Sequence, residues 1–136
     1  MKVMLDDGAY MPTRAHSMDA GLDLYSPVDA WLMPQASAVI DTGVHVELPP
    51  GSVGFLKSKS GLNVKYGILG EGVIDAGYTG SIRVKLYNHG GDTYKIRRGD
   101  KITQLVILPV ILPDLNQVEK LDDTERGCGG FGSTGR

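Results

Sequence analysis

The sequence predicts an all-β barrel or sandwich with one short helix. Three observations carry that prediction: short apolar runs recur between turn residues, one run alternates with period two, and a single stretch carries helix start and stop signals. Leu22-Asp23-Leu24-Tyr25 reads as a strand ending at Ser26-Pro27. Val39 to Leu48 alternates in part, with Val44, Val46 and Leu48 on one face, and stops at Pro49-Pro50-Gly51. Val53 to Leu56 follows as a further strand. Ser81 to Tyr87 is a half-buried strand, with Ile82, Val84 and Leu86 facing one way and Arg83, Lys85 and Tyr87 the other. Arg98-Gly99-Asp100 is a turn before a buried strand, Ile102 to Leu108. The helix runs from Ser60, as cap, to about Tyr66, and Gly67 ends it.

The chain has 136 residues, enough for one domain with a modest core. Its 19 glycines imply tight turns or close approaches of backbone to a ligand. A net charge of −2 offers no basic surface to a nucleic-acid polymer, so an anionic ligand would be met by local cations. Cys128 is alone, which excludes an internal disulfide and a cysteine zinc cluster. The longest apolar run, Leu105 to Leu112, is broken by Pro109 and falls short of the roughly 20 residues that cross a bilayer. With no signal-like N-terminus, a soluble cytoplasmic protein without membrane contact is expected.

Residues 1–125 read as the β domain and 126–136 as a separate arm. The arm, Arg-Gly-Cys-Gly-Gly-Phe-Gly-Ser-Thr-Gly-Arg, has one large apolar side chain and cannot order itself. On composition it is a loose end. Its alternative use is to wrap a phosphate with backbone N–H groups, with Arg126 for charge and Phe131 as a stacking face.

Four other segments combine small residues with a carboxylate or an anion-binding group. In Asp19-Ala20-Gly21-Leu22-Asp23-Leu24 a carboxylate at a strand start either shapes a turn or holds a metal-bound water. In Lys57-Ser58-Lys59-Ser60-Gly61-Leu62 two cations and hydroxyls meet a helix N-terminus, which is either a capped end with solvated lysines or an anion site. Gly72 to Gly80 reads as a hairpin with Asp75 beside the turn and Tyr78 after it, a carboxylate fit for a general base and a ring fit for a pocket floor. Gln104 is a polar residue in an apolar strand and needs partners, from a loop or a ligand. His16, His45 and His89 show no metal spacing, and no nucleophile elbow or Walker-type loop is present.

Taken in order, DAGLDL, SKSGL, GVIDAGYTG, GDKITQL and RGCGGFGSTG resemble the motifs of the homotrimeric dUTPases. They extend from residue 19 to 135, nearly the whole chain. The resemblance implies a jelly-roll-like subunit and a homotrimer whose active sites combine motifs from different chains. It implies hydrolysis of dUTP to dUMP and pyrophosphate, which keeps uracil out of DNA. Asp75 would be the catalytic base for attack on the α-phosphorus. The backbone around Gly72, Val73 and Ile74 would read uracil, and Tyr78 would lie against the deoxyribose. Mg²⁺ would be the cofactor, held through water by Asp23. Lys59, Ser60, Gly61 and Gln104 would contact phosphates, and Arg83 would lie at the ligand edge. Arg126, Gly132, Ser133 and Thr134 would clamp the γ-phosphate while Phe131 stacks on uracil. Lys59 departs from the family's usual arginine, keeping the charge without the two-pronged grip. Two other functions remain open: a nucleotide-gated protein whose main role is to bind a regulatory partner, and a dCTP deaminase, which shares the fold but lacks the Phe-Gly-Ser-Thr-Gly ending.

Overall fold

A computed structural model describes residues 1–130. Ten strands and one helix follow in order: β1 (Lys2–Leu5), β2 (Gly21–Tyr25), β3 (Ala30–Leu32), β4 (Ser37–Asp41), β5 (Val44–Glu47), β6 (Ser52–Lys57), α1 (Ser60–Tyr66), β7 (Ile68–Asp75), β8 (Arg83–Asn88), β9 (Tyr94–Ile96) and β10 (Lys101–Pro109). A six-stranded antiparallel sheet runs β2-β10-β6-β7-β8-β4 and curls into a jelly-roll-like half-barrel. Two small sheets, β1-β5 and β3-β9, complete it.

The alternation of β8 is realised as read: Ile82, Val84 and Leu86 are buried, and Arg83, Lys85 and Tyr87 are exposed. With Leu24, Leu56 and Leu105 they form a core whose fully buried apolar residues are all aliphatic. The run from Val39 to Leu48 is two strands rather than one. Thr42, itself buried, donates its hydroxyl to the Ile82 carbonyl at 2.8 Å and accepts from the Val44 amide at 3.2 Å. Gly43 then takes a left-handed φ of 65°, and the chain passes from the β8 edge to pair with β1. The short strands β1, β3 and β9 have no clear period and are not evident in the sequence; each pairs only within a two-stranded sheet.

β7 changes partner midway. Its residues Ile68–Glu71 pair with β8, whereas Gly72–Asp75 pair with β6. The switch lies between Gly70 and Gly72, where a Cβ would stand 2.7 Å from Leu86 Cδ2 and 3.1 Å from Leu56 Cδ1 respectively. As a result Gly72 to Asp75 have no ladder partner on the edge turned away from β6. Among the described residues, no helix is long and apolar enough to cross a membrane.

Candidate active site

Two groups of residues stand out on the outer face of the large sheet. The first is built on a cross-strand row. Gln104 on β10 sits between Asp23 on β2 and Lys57 on β6. Lys57 in turn bridges to Glu71 on β7, Nζ to Oε1, at 2.9 Å. Asp23 is 6% exposed and is flanked by two cations, pairing with Lys59 on one oxygen and with Lys101 Nζ at 2.8 Å on the other. Burial pushes the Asp23 carboxyl up, but the hydrogen bonds and charges of Lys101 and Lys59 outweigh it and hold it below the usual carboxylate range. The same hydrogen bond raises the Lys101 ammonium. A cleft of about 430 Å³ opens here, lined by Asp19, Gly21, Asp23, Lys59 and Gln104 among others.

The helix start belongs to this group. Ser60 is not the cap: Lys59 takes that position with an extended ψ of 129°, and no side chain caps the helix. The first turn therefore leaves the amides of Ser60, Gly61 and Leu62 without acceptors among the described residues. Gly67 ends the helix in the left-handed region as expected, its amide bonded to Asn63 O at 2.9 Å. Gln104 finds a backbone partner, Nε2 donating to Ser58 O at 3.2 Å. It lies flat across Gly21, where a Cβ would collide with Gln104 Oε1 and stand 3.2 Å from Gln104 Cβ. Gly21→Ala is therefore expected to displace the whole Gln104 side chain while the strand stays paired. Side-chain amide NMR signals of Gln104 report this; an unshifted Gln104 signal would show that the strand yields instead.

The second group lies at the far end of β7. Asp75 is exposed, and its carboxylate makes no hydrogen bond or ion pair among the described residues. Its carbonyl accepts from the Tyr78 amide at 3.0 Å, closing a turn at the strand end. The Tyr78 ring packs on Gly80, where a Cβ would lie 2.5 Å from the hydroxyl oxygen, and that hydroxyl donates to Ser81 O at 2.9 Å. Ser81 and Arg83 both bond to Asp41, the latter at 3.0 Å, so Arg83 is turned toward β4. Val73 points outward and is exposed, whereas Ile74 enters the core.

Within one chain the two groups are apart. Glu71, Val73 and Asp75 share the outer face, and Asp75 lies four residues beyond Glu71, about 13 Å along the strand. Three strand spacings of about 4.8 Å separate β7 from β2, so Asp75 and Asp23 are roughly 20 Å apart along the sheet.

A family profile described as dUTPase matches residues 7–135. The chain belongs to the dUTPase family. It is 43% identical over 135 residues to the deoxyuridine 5'-triphosphate nucleotidohydrolase of Mus musculus, covering 98% of this chain and 83% of that protein. In structure it is similar to the dUTPase of Staphylococcus bacteriophage 80alpha solved with dUpNHpp, with a TM-score of 0.92, 36% identity and coverage of 99% and 98% of the two chains. Work on that phage enzyme describes control of the transfer of virulence genes by a G protein-like mechanism. A mutant dUTPase of phage phi11, at 37% identity, TM-score 0.81 and coverage of 88% and 96%, is described with a structural Mg(II) ion.

The remaining family motif is the arm. After β10 the Val110 amide bonds to Gly51 O at 2.9 Å, and beyond it Ile111, Leu112, Leu115 and Leu121 are all exposed. Arg126 bonds only locally, Nε donating to Gly129 O at 2.9 Å. Phe131, Gly132, Ser133 and Thr134 lie outside the described residues. Sequence reasoning missed Lys101 as a partner of Asp23, and missed His45. Lys101 stands in the fourth motif, but only the strand register brings it to the first.

Proposed function

We propose that the chain hydrolyses dUTP to dUMP and pyrophosphate in sites shared between copies of the chain. Family membership supports the chemistry. The observation that carries the sharing is the separation of roughly 20 Å between Asp75 and the Asp23 group, too far for one triphosphate to meet its base and its cations on a single chain. Two surfaces from neighbouring copies would each supply half, and closed symmetry would repeat the site, three times in a homotrimer.

The unpaired edge of Gly72 to Asp75 offers backbone donors and acceptors to uracil, with Val73 and Ile74 setting the strand; altered edges such as that of cytosine would leave them unmatched. Tyr78, held flat on Gly80, walls the sugar at C2′. Asp75, free of internal partners among the described residues, takes a proton from the water that attacks the α-phosphorus as the bond from that phosphorus to the bridging oxygen breaks. In the neighbouring copy the free amides at Ser60 and Gly61, the Gln104 amide and Lys59 receive the phosphate oxygens. Lys59 leaves Asp23 to do so, and Lys101 remains to balance that carboxylate. Arg83 would lie at the ligand edge, secondary to its bond with Asp41.

Among the described residues no group of three or more metal-ligating side chains exists. That fits Mg²⁺ arriving on the triphosphate, since Mg²⁺ keeps several waters and needs few protein ligands. Asp23 would orient one of those waters, and the ion when bound neutralises phosphate charge. The arm from 126 to 136, taken as a separate unit from 1–125, closes the site: Arg126, Gly132, Ser133 and Thr134 on the γ-phosphate, Phe131 over uracil.

Mixing two inactive variants tests the sharing. In trimers assembled from equal amounts of Asp75→Asn and Lys59→Ala chains, roughly a quarter of the sites are intact if the halves come from different copies. Recovered dUTP turnover is expected, with little turnover of dCTP, dTTP or UTP. No recovery would mean that one chain builds the whole site. The likeness to the phage enzyme also favours a second role, nucleotide-gated binding of a partner protein. A pull-down with and without dUpNHpp checks it, and a partner set unchanged by nucleotide would count against it.

A further inference from the structure

His45 on β5 joins the Tyr78 loop to Asp6, the residue that follows β1. Its Nδ1 lies 2.8 Å from the Thr79 carbonyl oxygen and its Nε2 lies 3.2 Å from Asp6 Oδ1. Both partners are acceptors only, so both ring nitrogens must donate, and only the imidazolium can do that. A neutral ring keeps one bond and turns a lone pair toward the other oxygen. The side chain is 18% exposed, so water replaces the lost bond poorly.

We infer that protonated His45 is a positioning residue that clamps the loop carrying Tyr78, and thereby sharpens the choice of deoxyribose over ribose. The inference rests on the assignment of Tyr78 to the sugar.

The surroundings favour the charged ring. The bond to the Thr79 carbonyl raises the His45 pKa, partial burial opposes this, and Asp6 and Asp41 raise it further. Asp41 is itself paired with Arg83 on β8. From β1, Lys2 is tied to Glu47 of β5 at 2.9 Å, so that pair adds little net charge. With the pKa raised, the clamp is complete at low pH and is lost as pH rises through the His45 value. The loop has other anchors, Tyr78 to Ser81 and Ser81 to Asp41, so losing the clamp loosens the loop without unfolding it.

The test compares dUTP with UTP, because the two share one triphosphate titration and their ratio of kcat/KM cancels it. In the full-length protein this ratio is expected to fall roughly fivefold between about pH 6 and 9, the effect of one lost hydrogen bond. His45→Gln should show a low ratio that does not vary with pH. Asp6→Asn should hold the ratio high across this range, because the introduced side-chain amide can donate to a neutral Nε2 while Nδ1–H still serves the Thr79 carbonyl. Amide exchange protection across Thr79 to Ile82, corrected for intrinsic rates, reads the clamp without substrate and should fall over the same range. The same fall in His45→Gln as in the parent, in either readout, would overturn the inference. Protection that titrates while the ratio stays flat would support the clamp and overturn the assignment of Tyr78 to the sugar.

Discussion

Asp75→Asn is expected to lower dUTP turnover by about 10²- to 10⁴-fold, the range that general-base catalysis supplies. Binding of dUTP should persist, because asparagine keeps the shape and a polar contact to the sugar. Folding should also persist: the carboxylate is exposed and supports no other side chain among the described residues, and surface substitutions of that kind change stability by roughly half a kcal/mol at most. Single-turnover kinetics, calorimetric affinity for dUpNHpp and thermal unfolding separate these effects. Turnover close to that of the parent would remove Asp75 from the role of base. A large loss of thermal stability would mean that the residue holds the turn at the end of β7 instead.

Deletion of Gly127 to Arg136 is expected to leave the subunit folded and nearly inactive. No bond of Arg126, Gly127 or Gly129 among the described residues leaves the segment from Thr124 to Gly129, so the strands lose little. Charged hydrogen bonds to a phosphate contribute about 1.5–3 kcal/mol each. Losing two of them lowers kcat/KM by at least roughly a hundredfold, since 1.4 kcal/mol is tenfold. Affinity should fall more for dUpNHpp than for dUMP, which lacks the γ-phosphate that the arm would hold. Equal affinities of the parent and the truncated chain for dUpNHpp would show that the arm does not touch the nucleotide.

The strands are legible where one face is buried and the other wet. β8 is the clearest case, because its period of two follows directly from facing the core on one side. β4 and β5 read as one strand because their apolar residues continue the same rhythm; the break at Thr42-Gly43 is made by a bond to Ile82, which is distant in sequence. β1 is largely exposed, and β3 and β9 are three residues long with a single buried residue each, so their sequences are too short to show a period. Ser60 reads as a cap because the residue type suits that position, whereas the chain places Lys59 there and leaves the first-turn amides free.

By itself the sequence determined the β class, the single helix with its glycine stop, the family, and the residue types of the five motifs. These are local properties: a pleat, a turn, a cap and an ordered set of short strings are written in neighbouring residues. Only the tertiary structure decided which charges meet. Asp23 reaches Lys59 across 36 positions and Lys101 through the register of β2 with β10, and His45 reaches Thr79 across 34. It also decided that Asp75 stands well away from the cation row, because β7 leaves β8 for β6 at Gly70–Gly72; Gly72 to Gly80 is therefore no hairpin of its own but a strand end on β6 followed by the Asp75–Tyr78 turn. Strand pairing joins residues that no local pattern links, so only the register shows that the two groups of residues lie apart on one chain.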